Sequence, residues 1–396
     1  MSPSPHLGDG LVSFPGSMEA HRRVEEPVAG TLGEPCPGPI PTTSPGEPFQ
    51  TESGAVLPHV EIAYETWGRL SPARDNVVLV AHALTGDAHA ASHDLDDEEG
   101  WWEAMIGPGR AIDTDRFYVI CSNVLGGCGG STGPRSIDPL TGERYDLRFP
   151  PITVRDIVAA QARLLDLLGI ERLYAVIGGS LGGMQALEWA VTYPNRVQHI
   201  IPIATSAQFS AQGIAFNEVQ RRAIMLDPAW RNGNYEDDEQ PRQGLAVARM
   251  LGMITYQSDE LMTSRFGRNT DARYTAWPAF HERFDVEGYL HYQGDKLGHR
   301  FDANSYLYLS RAMDSHDIAR GRGTLDAALA RIEAATLMVG IRSDVLFPAY
   351  QAREVAERLA RLGRDVRYYE MDSPKGHDAF LNDIDKLAPI VEDFLA

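Results

Sequence analysis

The chain has 396 residues, of which 43% are hydrophobic, and its 36 Lys and Arg against 55 Asp and Glu give a formal net charge of -19. That is enough chain and apolar content for one large α/β domain or two smaller ones with a substantial core. The acidity disfavours nucleic acid and anionic membrane as partners, since both need a basic surface, but it leaves room for a small anionic substrate held by a local cation.

Residues 1–45 are rich in Pro, Gly and Ser and end in Pro37-Gly38-Pro39-Ile40-Pro41, which reads as a disordered or extended N-terminal tail. They hold no apolar signal core, and no later stretch approaches the ~20 apolar residues of a membrane span, so no membrane association and a cytoplasmic location are expected. Order is expected to begin near Phe49, and the alternation Val60–Trp67 suits a strand with one wetter face. Continuous apolar runs of the fully buried, parallel-sheet kind follow at Val77–Ala81, Phe117–Cys121, Leu173–Ile177, Ile200–Ala204, Thr336–Ile341 and Val366–Met371. The cysteines, Cys36, Cys121 and Cys128, supply neither a disulfide framework nor a CxxC metal spacing, and no metal site is expected.

Helical patterns lie between these strands. Thr153 with Asp156 three residues on forms a capping box, and Gly169 suits a C-terminal cap. Further helices are expected from just after Ser180 to about Tyr193 and over Tyr350–Leu362. Strands alternating with helices predict an α/β fold with a mostly parallel, doubly wound central sheet. The stretch 207–325 breaks this rhythm, with helical patterns near 216–227 and 241–257, the methionines Met225, Met250, Met253 and Met262, and few buried-strand runs. It reads as a helical lid inserted between a first core part, 46–206, and a second, 326–396. The acidic runs Asp94–Glu99 and Glu236–Glu239 read as solvated loops.

The most informative motif is Gly178-Gly179-Ser180-Leu181-Gly182, directly after an apolar strand and before a helix. This is the pattern of a nucleophile elbow, in which a tight turn lifts a serine hydroxyl above the carboxyl edge of a sheet. A serine needs a base, and the base needs an orienting group. In α/β-hydrolase topology these follow in the order Ser, acid, His. Asp344 follows the strand at 336–341, and His377, among twelve histidines, stands in the loop after the last strand. Ser180 is therefore the candidate nucleophile, His377 the base and Asp344 its orienting acid. The oxyanion would be held by the backbone N–H groups of Leu181 and Leu84, the latter in the loop His82-Ala83-Leu84-Thr85-Gly86. His82 reads as a packing histidine rather than a second base. The glycine-dense run Gly126–Gly133 lacks the P-loop lysine and the Rossmann spacing, and reads as a close-packed loop beside the pocket.

Several motifs together resemble the homoserine O-acetyltransferase family of α/β-hydrolase-fold acyltransferases of methionine biosynthesis. They are His82–Asp87, Gly126–Pro134, Gly178–Gln185, Ala248–Tyr256, Arg300–Tyr306 and Gly376–Phe380, and the resemblance covers roughly residues 48–396. It implies transfer of an acetyl group from acetyl-CoA through acyl-Ser180 to the γ-hydroxyl of L-homoserine, with no permanently bound cofactor. The family's substrate-binding arginine falls on Arg249 and its substrate-binding aspartate on Asp378, suited to the carboxylate and ammonium of an amino acid. Without the resemblance, Arg249 would read as an exposed helix residue and Asp378 as a helix cap. Relatives of this fold use succinyl-CoA or take serine as acceptor. Here Asp344 is followed by Val345 and Leu346, which offer a succinyl carboxylate no cation. A plain esterase with the same triad is the alternative from another reaction class. A homodimer through the helical insertion is expected from the family and from the preference of oligomers for two-fold symmetry.

Overall fold

The computed structural model describes residues 40–42, 48–270 and 284–396. Its central sheet comprises β1 Tyr64–Trp67, β2 Val77–Ala81, β3 Tyr118–Ser122, β4 Leu173–Gly179, β5 Val197–Ile203, β6 Ala335–Ile341 and β7 Val366–Met371. The spatial order is β7-β6-β5-β4-β2-β3-β1. Every neighbouring pair is parallel except β1 with β3. The inner predicted runs form the sheet because they are mostly β-branched or aliphatic and are covered on both faces, whereas β7, at the sheet edge, carries Arg367, Tyr368, Tyr369 and Glu370 and is only partly buried. All five residues of β2 are buried. The sheet also corrects two boundaries: Phe117 precedes β3, and Ala204 falls past the end of β5 with φ of 46°.

The alternating stretch 60–67 is not one strand. Glu61–Ile62 pairs antiparallel with Ile40–Pro41, while Tyr64–Trp67 joins the main sheet. Order in the described chain thus includes residues 40–42, upstream of Phe49, and the rest of the expected tail 1–39 and 43–45 lies outside the described residues.

Helix α1, Val154–Leu167, starts at the predicted capping box. The Thr153 side chain accepts from the Asp156 N–H, and Asp156 accepts the Thr153 N–H at 2.8 Å. Gly169 takes φ of 67° beyond its end. Helix α2, Leu181–Thr192, follows β4, and α9, Ala349–Arg361, links β6 to β7. Between β5 and β6 the chain forms α3 Ala211–Leu226, α4 Arg242–Tyr256, α5 Asp259–Phe266, α6 Asp285–Arg300, α7 Ala303–Asp314 and α8 Leu325–Leu329. Helix α4 packs between α3 and α6, and α7 packs on α3. The chain ends in α10, Ala379–Asn382, and α11, Ile384–Leu395. Among the described residues no helix is long and apolar enough to cross a membrane.

The acidic runs are largely exposed, as expected, and also make surface contacts. Asp237 pairs with Arg135 and Arg144, and Asp97 accepts the His93 N–H at 2.9 Å.

Candidate active site

Ser180 sits between the last residue of β4 and the first of α2, with φ of 60° and ψ of -122°. A side chain in this region carries strain of about 1–3 kcal/mol, which only a well-packed surround can hold. The surround explains the flanking glycines. A Cβ on Gly178 would lie 2.4 Å from the Ala81 carbonyl oxygen, and one on Gly182 would lie 2.0 Å from it. The Ser180 N–H donates to Ile203 O at 2.9 Å, tying the turn to β5. Leu181 is the first residue of α2, so its N–H has no partner within the helix and is free to face an oxyanion. Leu84 stands in the turn after β2, closed by a Gly86 N–H to Ala83 O bond of 3.0 Å, and it lines the same cavity as Ser180.

Asp344 and His377 come from the loops after the adjacent strands β6 and β7. The His377 Nδ1 is 2.7 Å from Asp344 Oδ2. The other carboxylate oxygen, Oδ1, accepts the N–H groups of Leu346 and Phe347, each at 2.8 Å. A carboxylate with all these donors is fixed in place, and it requires the proton of a neutral His377 on Nδ1, leaving Nε2 as the base. Ser343 staples the two loops. Its hydroxyl donates to Ser373 O at 2.6 Å and accepts the Gly376 N–H at 2.9 Å. Gly376 has φ of 73°, and a Cβ there would stand 2.7 Å from Tyr256 O. The imidazole lies against the rings of Tyr256, Phe347 and Phe380. Burial pulls its pKa down, but the Asp344 charge and hydrogen bond, with Asp378 beyond, outweigh this and hold it above the ordinary histidine value.

Ser180 and His377 both line a cavity of about 360 Å³, together with Arg249, Asp378 and Arg300. Helices α4 and α6 of the insertion supply the two arginines. Arg249 lies over the Tyr256 ring at 5.6 Å. Asp378 occupies the N-cap position of α10 but its side chain caps nothing; its N–H donates to Tyr256 O at 3.1 Å. Burial raises the Asp378 pKa, His377 and Arg249 pull it back, and the net displacement is upward. Burial lowers the Arg300 pKa, and repulsion from Arg249 adds to this. Asp87, which also lines the cavity with its carboxylate 4.0 Å from the Arg300 guanidinium, offsets part of that repulsion.

The sequence placed Arg300 in a motif of the resemblance but gave it no role in the site. Its position at the last turn of α6 becomes meaningful only when that helix is laid over the sheet. His82 behaves as the packing histidine: its Nε2 accepts the Val124 N–H at 3.0 Å, and its Nδ1 is 2.7 Å from Ala83 O. The Gly126–Gly133 loop is close-packed, with a Gly133 Cβ only 2.4 Å from Gly127 O, but it does not line the cavity. Val345 and Leu346 do not line it either, whereas Arg265 and Lys375 do. The lack of a cation at 345–346 therefore says little about the acyl group.

Strand order, elbow and acid–histidine pair define an α/β-hydrolase-fold protein, and the alpha/beta hydrolase fold family model matches residues 76–384. The chain is 58% identical to the homoserine O-acetyltransferase of Symbiobacterium thermophilum over 353 residues, 88% of this chain and 91% of that one. The crystal structure of homoserine O-acetyltransferase from Bacillus anthracis superposes with a TM-score of 0.82 at 34% identity, covering 88% of this chain and 95% of that one. The structure of esterase E22 superposes at 0.83 with 33% identity over 90% of this chain and 99% of that one. The chain belongs to the homoserine O-acetyltransferase family of enzymes.

Proposed function

We propose that this enzyme moves an acetyl group from acetyl-CoA to the γ-hydroxyl of L-homoserine through an acyl-Ser180 intermediate. The 2.7 Å His377–Asp344 contact beside the Ser180 elbow carries the reading, within a cavity that also offers Arg249 and Asp378. His377 Nε2 takes the Ser180 proton as Oγ attacks the thioester carbonyl. The Leu84 and Leu181 N–H groups hold the oxyanion. Collapse breaks the C–S bond, and His377 returns the proton to the departing thiolate. The homoserine γ-hydroxyl then gives its proton to His377 and attacks the acyl carbon, and Ser180 leaves with that proton. Arg249, with Arg300 nearby, suits the substrate carboxylate, and Asp378 its ammonium.

Acetyl rather than succinyl rests on the names of the relatives, because the cavity holds cations enough for either acyl group. The likeness to esterase E22 favours hydrolysis as the second reading. Enzyme mixed with acetyl-CoA decides between them through thiol release. Steady release only with homoserine supports transfer, and equal steady release without it supports hydrolysis. Crossing acetyl-CoA and succinyl-CoA with homoserine and serine fixes donor and acceptor.

The enzyme pairs as a homodimer through the insertion. The apolar side chains Val219, Leu226, Val247 and Ile254 stand exposed on α3 and α4, more apolar surface than a solvated helix pair needs. A monomeric mass in light scattering at micromolar concentration would remove this reading.

A further inference from the structure

Outside the catalytic groups, three donor side chains converge at the edge of the sheet. Glu65 lies on β1, and His89 and His93 on the segment that follows β2. Glu65 Oε2 is 2.9 Å from His89 Nδ1 and 3.0 Å from His93 Nε2. One ligand atom from each residue lies within 4.8 Å of the others. We propose that Glu65, His89 and His93 form a binding site for a divalent transition ion of the zinc class.

The donor set fits that chemistry. Two imidazoles and one carboxylate suit zinc and its neighbours, and they disfavour magnesium and calcium, which take oxygen ligands. A tetrahedral ion with bonds of about 2.0–2.1 Å spaces its ligand atoms about 3.3 Å apart. The two Glu65 contacts need to open by only about 0.3–0.4 Å to reach that spacing. The imidazole planes are inclined at 52° with centroids 6.2 Å apart, so the rings approach from different directions rather than lying face to face.

The ligands are also held in advance. His89 Nε2 is 2.8 Å from the Glu98 carbonyl oxygen, the outer bond that ordinarily orients a metal-binding imidazole. His93 stacks on Trp67 at 5.1 Å and 7°. Trp67 and Glu65 are two residues apart on β1 and so share a face. The side chains keep 20–26% of their surface exposed, which leaves an access path. Both imidazoles converge on a single carboxylate oxygen, which brings the three donor atoms together at one point. Both imidazoles donate protons to that oxygen, so the incoming ion displaces them and binding releases protons.

The site has a structural consequence. His89, Glu99 and Trp101 line the catalytic cavity. An ion at Glu65, His89 and His93 would tie that wall to the sheet edge. It would leave one coordination position for water.

The test uses the untagged full chain, stripped with chelator and titrated with zinc chloride by calorimetry. One saturable ion per chain is expected, with affinity lowered at least about tenfold in both His93→Asn and Glu65→Gln. No saturable binding, or unchanged affinity in both variants, overturns the proposal. Crystals of the unsubstituted chain with equimolar zinc give a reading that needs no variant. Anomalous density between Glu65, His89 and His93 supports the site, and density only elsewhere, or none, removes it.

Discussion

His377 and Asp344 meet at 2.7 Å although 33 residues separate them, because β6 and β7 run parallel and side by side and release both loops at the same edge. A shared edge is the general reason that open α/β sheets collect their reactive groups at the carboxyl ends of strands.

Asp344→Asn tests that contact. The amide can still accept the Leu346 and Phe347 N–H groups, but an NH₂ turned to His377 puts the imidazole proton on the wrong nitrogen. Acyl transfer should fall by about 10⁴-fold in kcat with the fold intact by circular dichroism. The pH profile carries a second signature. His377 works unprotonated, and its raised pKa places the acid limb of activity above the ordinary histidine value. Without the Asp344 charge, burial dominates, so the acid limb of the residual activity should move to lower pH. An unmoved limb would separate His377 from the titration that governs turnover.

Ser180→Gly should abolish acyl-enzyme formation and yet stabilise the fold. The residue at φ of 60° is strained with any Cβ, and glycine releases about 1 kcal/mol or more of that strain. Ser180→Ala keeps the Cβ and should lose activity without the gain in stability. Thermal melts of the two variants side by side make the comparison, and equal melting temperatures would argue against strain at the elbow.

Arg249→Ala should separate the two substrates. Losing a charged hydrogen-bond partner for the amino-acid carboxylate costs about 1.5–3 kcal/mol, or about 10–100-fold in kcat/KM for homoserine. The first burst of thiol from acetyl-CoA should remain, since the role proposed for Arg249 is to hold the acceptor. Equal loss in both half-reactions would place the guanidinium on the donor instead.

Acid stability should track His316. Burial pulls this histidine down to about 4; nearby Glu188 and Asp317 oppose the shift and Arg155 assists it. Its Nε2 is 3.1 Å from Ser206 O. The unfolded chain takes up the proton near pH 6.5, whereas the folded chain resists until about 4. Stability is therefore full above about pH 6.5 and declines as the pH falls towards 4, by about 3 kcal/mol from this group. His316→Gln retains a donor and lacks the titration. Denaturant melts between pH 4 and 7.5 should show a shallower decline for the variant.

Much of the scaffold was legible in the chain. Apolar runs placed the buried strands of the sheet to within a few residues, since a strand covered on both faces admits little else. The elbow was legible because crowding by the Ala81 carbonyl oxygen excludes any side chain at 178 and 182. Asp344 and His377 were found from strand order alone. The split of 60–67 into two pairings was not legible, because strand partners are tertiary facts and the alternation continues through Ala63.

By itself the sequence determined the class of fold, the serine elbow and the order of the acid and histidine that follow it, because local periodicity and steric limits are written residue by residue. Only the tertiary structure decided which cations face the cavity. Arg300 enters it from the end of α6, while residues 345–346, next to the acid along the chain, stay outside. The same holds for Glu65, His89 and His93, whose donor atoms meet because β1 lies at the sheet edge beneath the segment after β2. Such meetings depend on how elements pack, which no spacing along the chain encodes.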